Sequence, residues 1–165
     1  MRIVIASMLL LSIMAAPIVG HAHASARQDS CVVFYDGQGK QHTSVWFSVI
    51  NFSLPAPVCD LHLTSEPFPP TPNCIMVSAA PPVGWSAFLN NPGSASWFAN
   101  TPADCIPANN IKSGFNFVLD PGFCCYVVQF TDATGAVLLE QEECFCDNFV
   151  GVEKEPWGNI KKRFQ

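Results

Sequence analysis

IKSGFNFVLDPGFCCYVVQFTDATGAVLLE, residues 111–140, carries the densest structural signal in the chain. Phe115, Phe117 and Leu119 recur at period two. In a pleated strand alternate side chains share a face, so these three declare a buried surface. Asp120-Pro121-Gly122 breaks the strand, because proline fixes φ and glycine accepts a positive φ. The run Phe123–Thr131 is apolar at most positions, the pattern of a central strand covered on both faces. Asp132-Ala133-Thr134-Gly135 then reads as a short hairpin loop that returns the chain as a partner strand over Ala136–Gln141.

Upstream the same alternation recurs. Cys31–Tyr35 is a short β-prone run stopped by Asp36-Gly37-Gln38-Gly39. His42–Phe52 places Val45, Phe47 and Val49 on one face and Trp46 and Ile50, with Ser44 and Ser48, on the other, and it completes a hairpin. Leu54-Pro55-Ala56-Pro57 ends that strand, since neither proline can donate to a ladder. Val58–Thr64 alternates Cys59, Leu61 and Leu63 against Asp60, His62 and Thr64. Residues 65–73, SEPFPPTPN, hold four prolines and must run as an extended surface loop. Cys74–Ala79, Trp85–Leu89 and Ser96–Ala99 are further strands, divided by Pro81-Pro82-Val83-Gly84 and Asn90-Asn91-Pro92-Gly93. No stretch between Ser25 and Val150 sustains a capped helical period. About nine short strands spaced at roughly 8–12 residues predict an all-β, antiparallel sandwich, with a closed barrel as the alternative.

Arg2 followed by the apolar run Ile3–Val19 and the small-x-small triplet Ala22-His23-Ala24 has the form of an export signal, so residues 1–24 are expected to be removed. The run is short and meets Gly20 and His21, which argues against a membrane anchor, and no other span is expected once it is cut. Residues 25–150 form one domain of ordinary size. The formal net charge of −5 becomes one unit more negative when Arg2 is lost, which excludes nucleic acid as a partner.

Eight cysteines, Cys31, Cys59, Cys74, Cys105, Cys124, Cys125, Cys144 and Cys146, follow the signal. An even count in an exported chain predicts a disulfide framework and a secreted, cell-surface or periplasmic location. Connectivity is open. The one local expectation is Cys59 with Cys74, closing a Pro-rich loop of about 15 residues with about 3 kcal/mol of chain-entropy stabilisation. Cys124 and Cys125 should form separate bridges, because neighbours on a strand face opposite ways.

Catalytic signatures are sparse. Cys59-x2-His62 has metal-ligand spacing, but the two residues fall on opposite strand faces and no second ligand pair exists, so no metal or cofactor is expected. Neither Cys pair has the CxxC form of a redox site. His42 and His62 lack a nucleophile elbow, and no carboxylate pair is set up for glycoside hydrolysis. Trp85 and Trp97 flank the Asn90–Gly93 turn and are the candidate ligand platform, on which sugar rings would stack. Residues 151–165 change character: Trp157, Ile160 and Phe164 stand at i, i+3, i+7 beside Lys161-Lys162-Arg163, an amphipathic basic-aromatic tail.

Gly84-Trp85-Ser86, Trp97, Ile106-Pro107 and IKSGFNF at residues 111–117 resemble secreted bacterial proteins built on an immunoglobulin-like or fibronectin-like β-sandwich. The resemblance spans residues 75–142, with Ala108-Asn109-Asn110 standing where those proteins carry a Gly-rich turn. It implies an immunoglobulin-like sandwich and no catalytic residue. The tail sequence WGNIKKRF, residues 157–164, is similar in kind to their terminal sorting segments, which implies contact with surface-attachment machinery. The expected function is a non-enzymatic secreted or cell-surface interaction or structural domain, with an extracellular protein or a glycan as partner. A carbohydrate-binding module is the first alternative and a small secreted hydrolase the second.

Overall fold

Gln41–Asn51, strand β2, shows how residue type becomes position. Its β-branched and aromatic residues favour extended backbone. The alternation buries Thr43, Val45, Phe47, Val49 and Asn51 while Ser44, Trp46 and Ile50 face outward. The computed structural model describes residues 23–65, 75–120, 122 and 124–146. Residues 1–22 of the predicted leader, residues 66–73 of the proline-rich loop and the tail predicted at 151–165 lie outside them.

Around β2 stand eight further strands: β1 (Ala24–Tyr35), β3 (Asp60–Ser65), β4 (Met76–Ala80), β5 (Trp85–Asn91), β6 (Ser94–Ala99), β7 (Asn110–Leu119), β8 (Cys124–Thr131) and β9 (Val137–Phe145). Among the described residues the single helical piece is a 3-10 turn at Pro102–Asp104. The strands form two sheets, ordered β1-β2-β7-β4 and β5-β6-β3-β8-β9, and every pairing is antiparallel. The centres β1-β2-β7 and β3-β8-β9 follow the A-B-E and C-F-G order of an immunoglobulin-like sandwich. Between β3 and β7 the chain departs from that plan: β4 crosses to the first sheet, and the hairpin β5–β6 extends the second.

The interior is aromatic. Phe47 is wholly buried and its ring centroid lies 5.3–5.8 Å from those of Phe115, Phe117, Trp97 and Phe145. Phe115 and Phe117 from β7, with Leu119, fill the face their spacing predicts. Leu61 and Leu63 of β3, and Tyr126, Val128 and Phe130 of β8, close it from the other sheet. The predicted loop after β8 forms as a hairpin, with Asp132 N donating to Ala136 O at 3.0 Å and Gly135 at φ 80°. Strand β8 differs from its expectation. It is central in hydrogen bonding, between β3 and β9, yet Cys125, Val127 and Gln129 on its outer face are only partly covered. An apolar run in a two-layer fold has only one layer to pack against.

Three disulfides join described residues, Cys31–Cys146, Cys59–Cys105 and Cys125–Cys144, and Cys124 is disulfide-bonded as well. The Cys59–Cys74 pairing is thereby corrected. Val58 and Ile106 exchange backbone hydrogen bonds at 2.9 and 2.8 Å, and that bridge sets Cys105 beside Cys59. Cys125 and Cys144 are cross-strand partners, and Cys124 bonds separately, as the one-bridge-per-face argument requires. Cys31–Cys146 staples the edge of one sheet to the end of the other. The sequence separations of 115, 46 and 19 correspond, each taken alone, to about 5, 4 and 3 kcal/mol of loop-closure stabilisation.

Candidate functional site

The expected platform is not one. Trp85 and Trp97 are buried, and each indole spends its one donor on backbone: Trp85 Nε1 donates to Asp104 O and Trp97 Nε1 to Ala80 O, both at 3.0 Å. Their rings pack edge-on against Phe115, leaving no face for a sugar. The pattern of β6 carries the reason. Ser94, Ser96 and Phe98 alternate with Ala95, Trp97 and Ala99, and the small apolar partners mark the inner face.

His42 lies at the turn end of the β1–β2 hairpin, buried against the Phe34 ring. Its Nε2 is 3.2 Å from Asp36 Oδ2 and its Nδ1 is 3.3 Å from Asp120 Oδ1, the latter too poorly aligned for a hydrogen bond and therefore an electrostatic contact. Lys40 Nζ sits 2.9 Å from the other Asp120 oxygen. Amides of Lys40 and Gln38 donate to Asp36 Oδ1, and the Lys40 amide first, then the His42 side chain, holds the Asp36 carboxyl below its ordinary range. Both imidazole nitrogens thus face carboxylates, and among the described residues no hydroxyl is bonded to the ring. The cluster ties the first hairpin to the β7–β8 crossover.

His62 has a hydroxyl neighbour: Nδ1 lies 2.8 Å from Ser96 Oγ, to which Asn90 Nδ2 donates at 2.7 Å. Burial lowers the His62 pKa, and the nearby Asp60 charge opposes that shift. Ser96 is itself buried. β3 and β6 are each paired on both sides, so their ladder takes up the amides an oxyanion hole would need. Among the described residues no acid is hydrogen-bonded to the second nitrogen of His62. Cys59 and His62 fall on opposite faces, as their spacing implies. Cys125, Glu142 and Cys144 bring three potential ligand atoms together, but the two sulfurs are bonded to each other and neither is a thiolate.

The outer face of the four-stranded sheet is a different surface. Across β1–β2 the register sets Phe34 against His42, Val32 against Ser44 and Ser30 against Trp46. Across β2–β7 it sets Val118 beside Ser44 and Asn116 beside Trp46. Trp46, Val32 and Phe34 are 44, 52 and 39 % exposed, and diagonal neighbours on adjoining strands are within reach of one another. The polar groups flanking this row are held in place. Asn116 Nδ2 donates to Ser44 Oγ at 2.9 Å and Val45 O at 2.8 Å. Ser48 Oγ donates to Asp29 Oδ2 at 2.6 Å and lies 2.7 Å from Ser113 Oγ, Asp29 being the extra residue of a bulge in β1. The sequence places Trp46 on the same face as Ser44 and Ser48, and the polar company of those serines is the signal that could have marked this row as outward-facing.

The chain matches no protein-family model and no curated protein. Among solved structures it is similar to an uncharacterized protein from Nocardia farcinica whose crystal structure reveals an immunoglobulin-like fold. That similarity has 18 % identity and a TM-score of 0.49, and it covers 72 % of this chain and 82 % of the other.

Proposed function

We propose that this chain is an exported, non-enzymatic interaction domain that binds an extracellular protein through the outer face of its four-stranded sheet. One observation carries the reading: Val32, Phe34 and Trp46 stand exposed on the same face of adjoining, hydrogen-bonded strands. Contiguous exposed apolar side chains on a small domain mark contact sites, and tryptophan is prominent among residues that dominate binding energy. The opposite sheet also exposes an aromatic ring, Phe88 packed against Phe98, but its outer face is acidic: Asp60, Glu140 and Glu142 stand on it, and strands β3, β5, β6, β8 and β9 contain no Lys or Arg. Disulfides on both sheets support a location outside the cytosol. The carboxylates facing both nitrogens of His42, with no serine or threonine hydroxyl bonded to its ring among the described residues, and the paired strands around His62 support a reading without acyl-transfer chemistry. The tail at 151–165 is kept as a segment for surface-attachment machinery on its sequence alone.

A carbohydrate is the second reading, favoured by Trp46 with Ser30, Ser44 and Asn116 around it: one exposed indole with hydroxyl and amide neighbours suits a sugar ring. Glycan-array binding and affinity capture from the host surface, each run with wild type and Trp46→Ala, separate the two. The proposal expects protein capture that Trp46→Ala abolishes while the melting curve stays unchanged. Capture unaffected by the substitution refutes it, and array binding lost on substitution transfers the site to the sugar reading.

A further inference from the structure

Strand β1 runs through the expected signal-cleavage point. Removal of residues 1–24 would leave Ser25 as the first residue, yet Ala24 is the first residue of β1 and His23 is bonded to the chain just beyond β2. Ala24 is fully buried and pairs with Asn51, itself fully buried. Ala24 O accepts from Gln141 Nε2 at 3.0 Å, one of the bonds that tie β9 across to β1. His23 O accepts from the amides of Phe52 and Ser53 at 3.0 and 3.1 Å. The His23 ring stacks on Phe52 with centroids 4.8 Å apart and planes 8° from parallel.

Three cuts satisfy the small-x-small requirement: after Ala26, with Ala24 and Ala26 at the two small positions, after Ala24, with Ala22 and Ala24, and after Ala22, with Gly20 and Ala22; the first would remove the buried Ala26 as well as Ala24 from β1. They differ in where the new ammonium falls. After Ala24 it would sit on Ser25, and the cut would delete the fully buried Ala24 together with the carbonyl that accepts from Gln141 Nε2. After Ala22 it sits on His23, which is exposed and whose nitrogen already lies 3.1 Å from Ser53 Oγ. We infer that signal peptidase cuts between Ala22 and His23, hydrolysing that one peptide bond, and that the mature domain begins at His23. The inference rests on the export reading and moves its boundary by two residues.

N-terminal sequencing of the exported protein, blotted from a denaturing gel so that folding does not matter, decides the point. The expected first residue is His23. Ser25 overturns the cut site while leaving export intact, and Met1 overturns export itself. Ala24→Leu spoils both later sites and should still give His23; loss or displacement of processing in that variant refutes the inference. A refolded chain starting at Ser25 should melt below one starting at His23, and equal melting temperatures would remove the structural basis for the assignment.

Discussion

Phe47 and Trp46 are adjacent in sequence and opposite in fate, which makes them a sharp test of the β2 register. Phe47→Ala removes a fully buried ring that touches four others, those of Trp97, Phe115, Phe117 and Phe145. The transfer loss for a buried Phe is about 1.5–3 kcal/mol. The cavity left in a core fixed by two sheets brings the total to about 4 kcal/mol. Native stability is roughly 5–15 kcal/mol, so this is a large fraction of it. Trp46→Ala removes a ring on the outer face and should cost no more than about 0.5 kcal/mol. Urea unfolding of the oxidised proteins, followed by far-UV circular dichroism so that the loss of an indole does not alter the probe, measures both. Equal costs, or a Phe47→Ala cost under about 1 kcal/mol, would mean that β2 presents the other face to the core and would refute the reasoning.

Tyr126 places its hydroxyl in the core without a hydrogen-bond partner among the described residues, and burial raises its pKa far above the ordinary phenol value; Tyr126→Phe should therefore raise stability by about 1 kcal/mol, seen as a higher urea midpoint at unchanged slope. Peptide mapping without reductant should recover Cys31–Cys146, Cys59–Cys105 and Cys125–Cys144. The double substitution Cys31→Ser with Cys146→Ser should destabilise more than Cys125→Ser with Cys144→Ser, about 5 against about 3 kcal/mol. His62 has a folded-state pKa below its ordinary 6.5 because it is partly buried. The unfolded chain therefore binds the proton first, and stability present above pH 6.5 is lost as pH falls toward the folded value. Unfolding free energies across that window should slope with pH in the wild type and lose that component in His62→Gln.

What could be read from residues alone was whatever rests on local alternation. Val45, Phe47 and Val49 against Ser44, Trp46 and Ser48 predict both faces of β2 because a one-residue slip would expose the whole core set. Phe115, Phe117 and Leu119 do the same for β7. Features that depend on which strands meet were beyond reach. Nothing in Asp120-Pro121-Gly122 says whether the chain turns back or crosses to the other sheet. Cys59 finds Cys105 through a bridge between Val58 and Ile106 that no local pattern encodes. Trp85 and Trp97 flank a turn, which suggests exposure, but the alternation of Ala95, Trp97 and Ala99 with Ser94, Ser96 and Phe98 is the stronger signal and turns Trp97 inward. The outward row of Val32, Phe34 and Trp46 was half visible: the face of Trp46 was predicted, but its neighbours come from the β1–β2 register.

Oxidative footprinting of the domain at the surface of its host, compared with the purified protein, tests the central claim most directly. Trp46 and Phe34 should be labelled in the purified domain and protected in place, while Phe88, 59 % exposed on the opposite sheet, is labelled in both. Equal labelling of Trp46 in the two settings, or protection at Phe88 in its stead, would contradict the account.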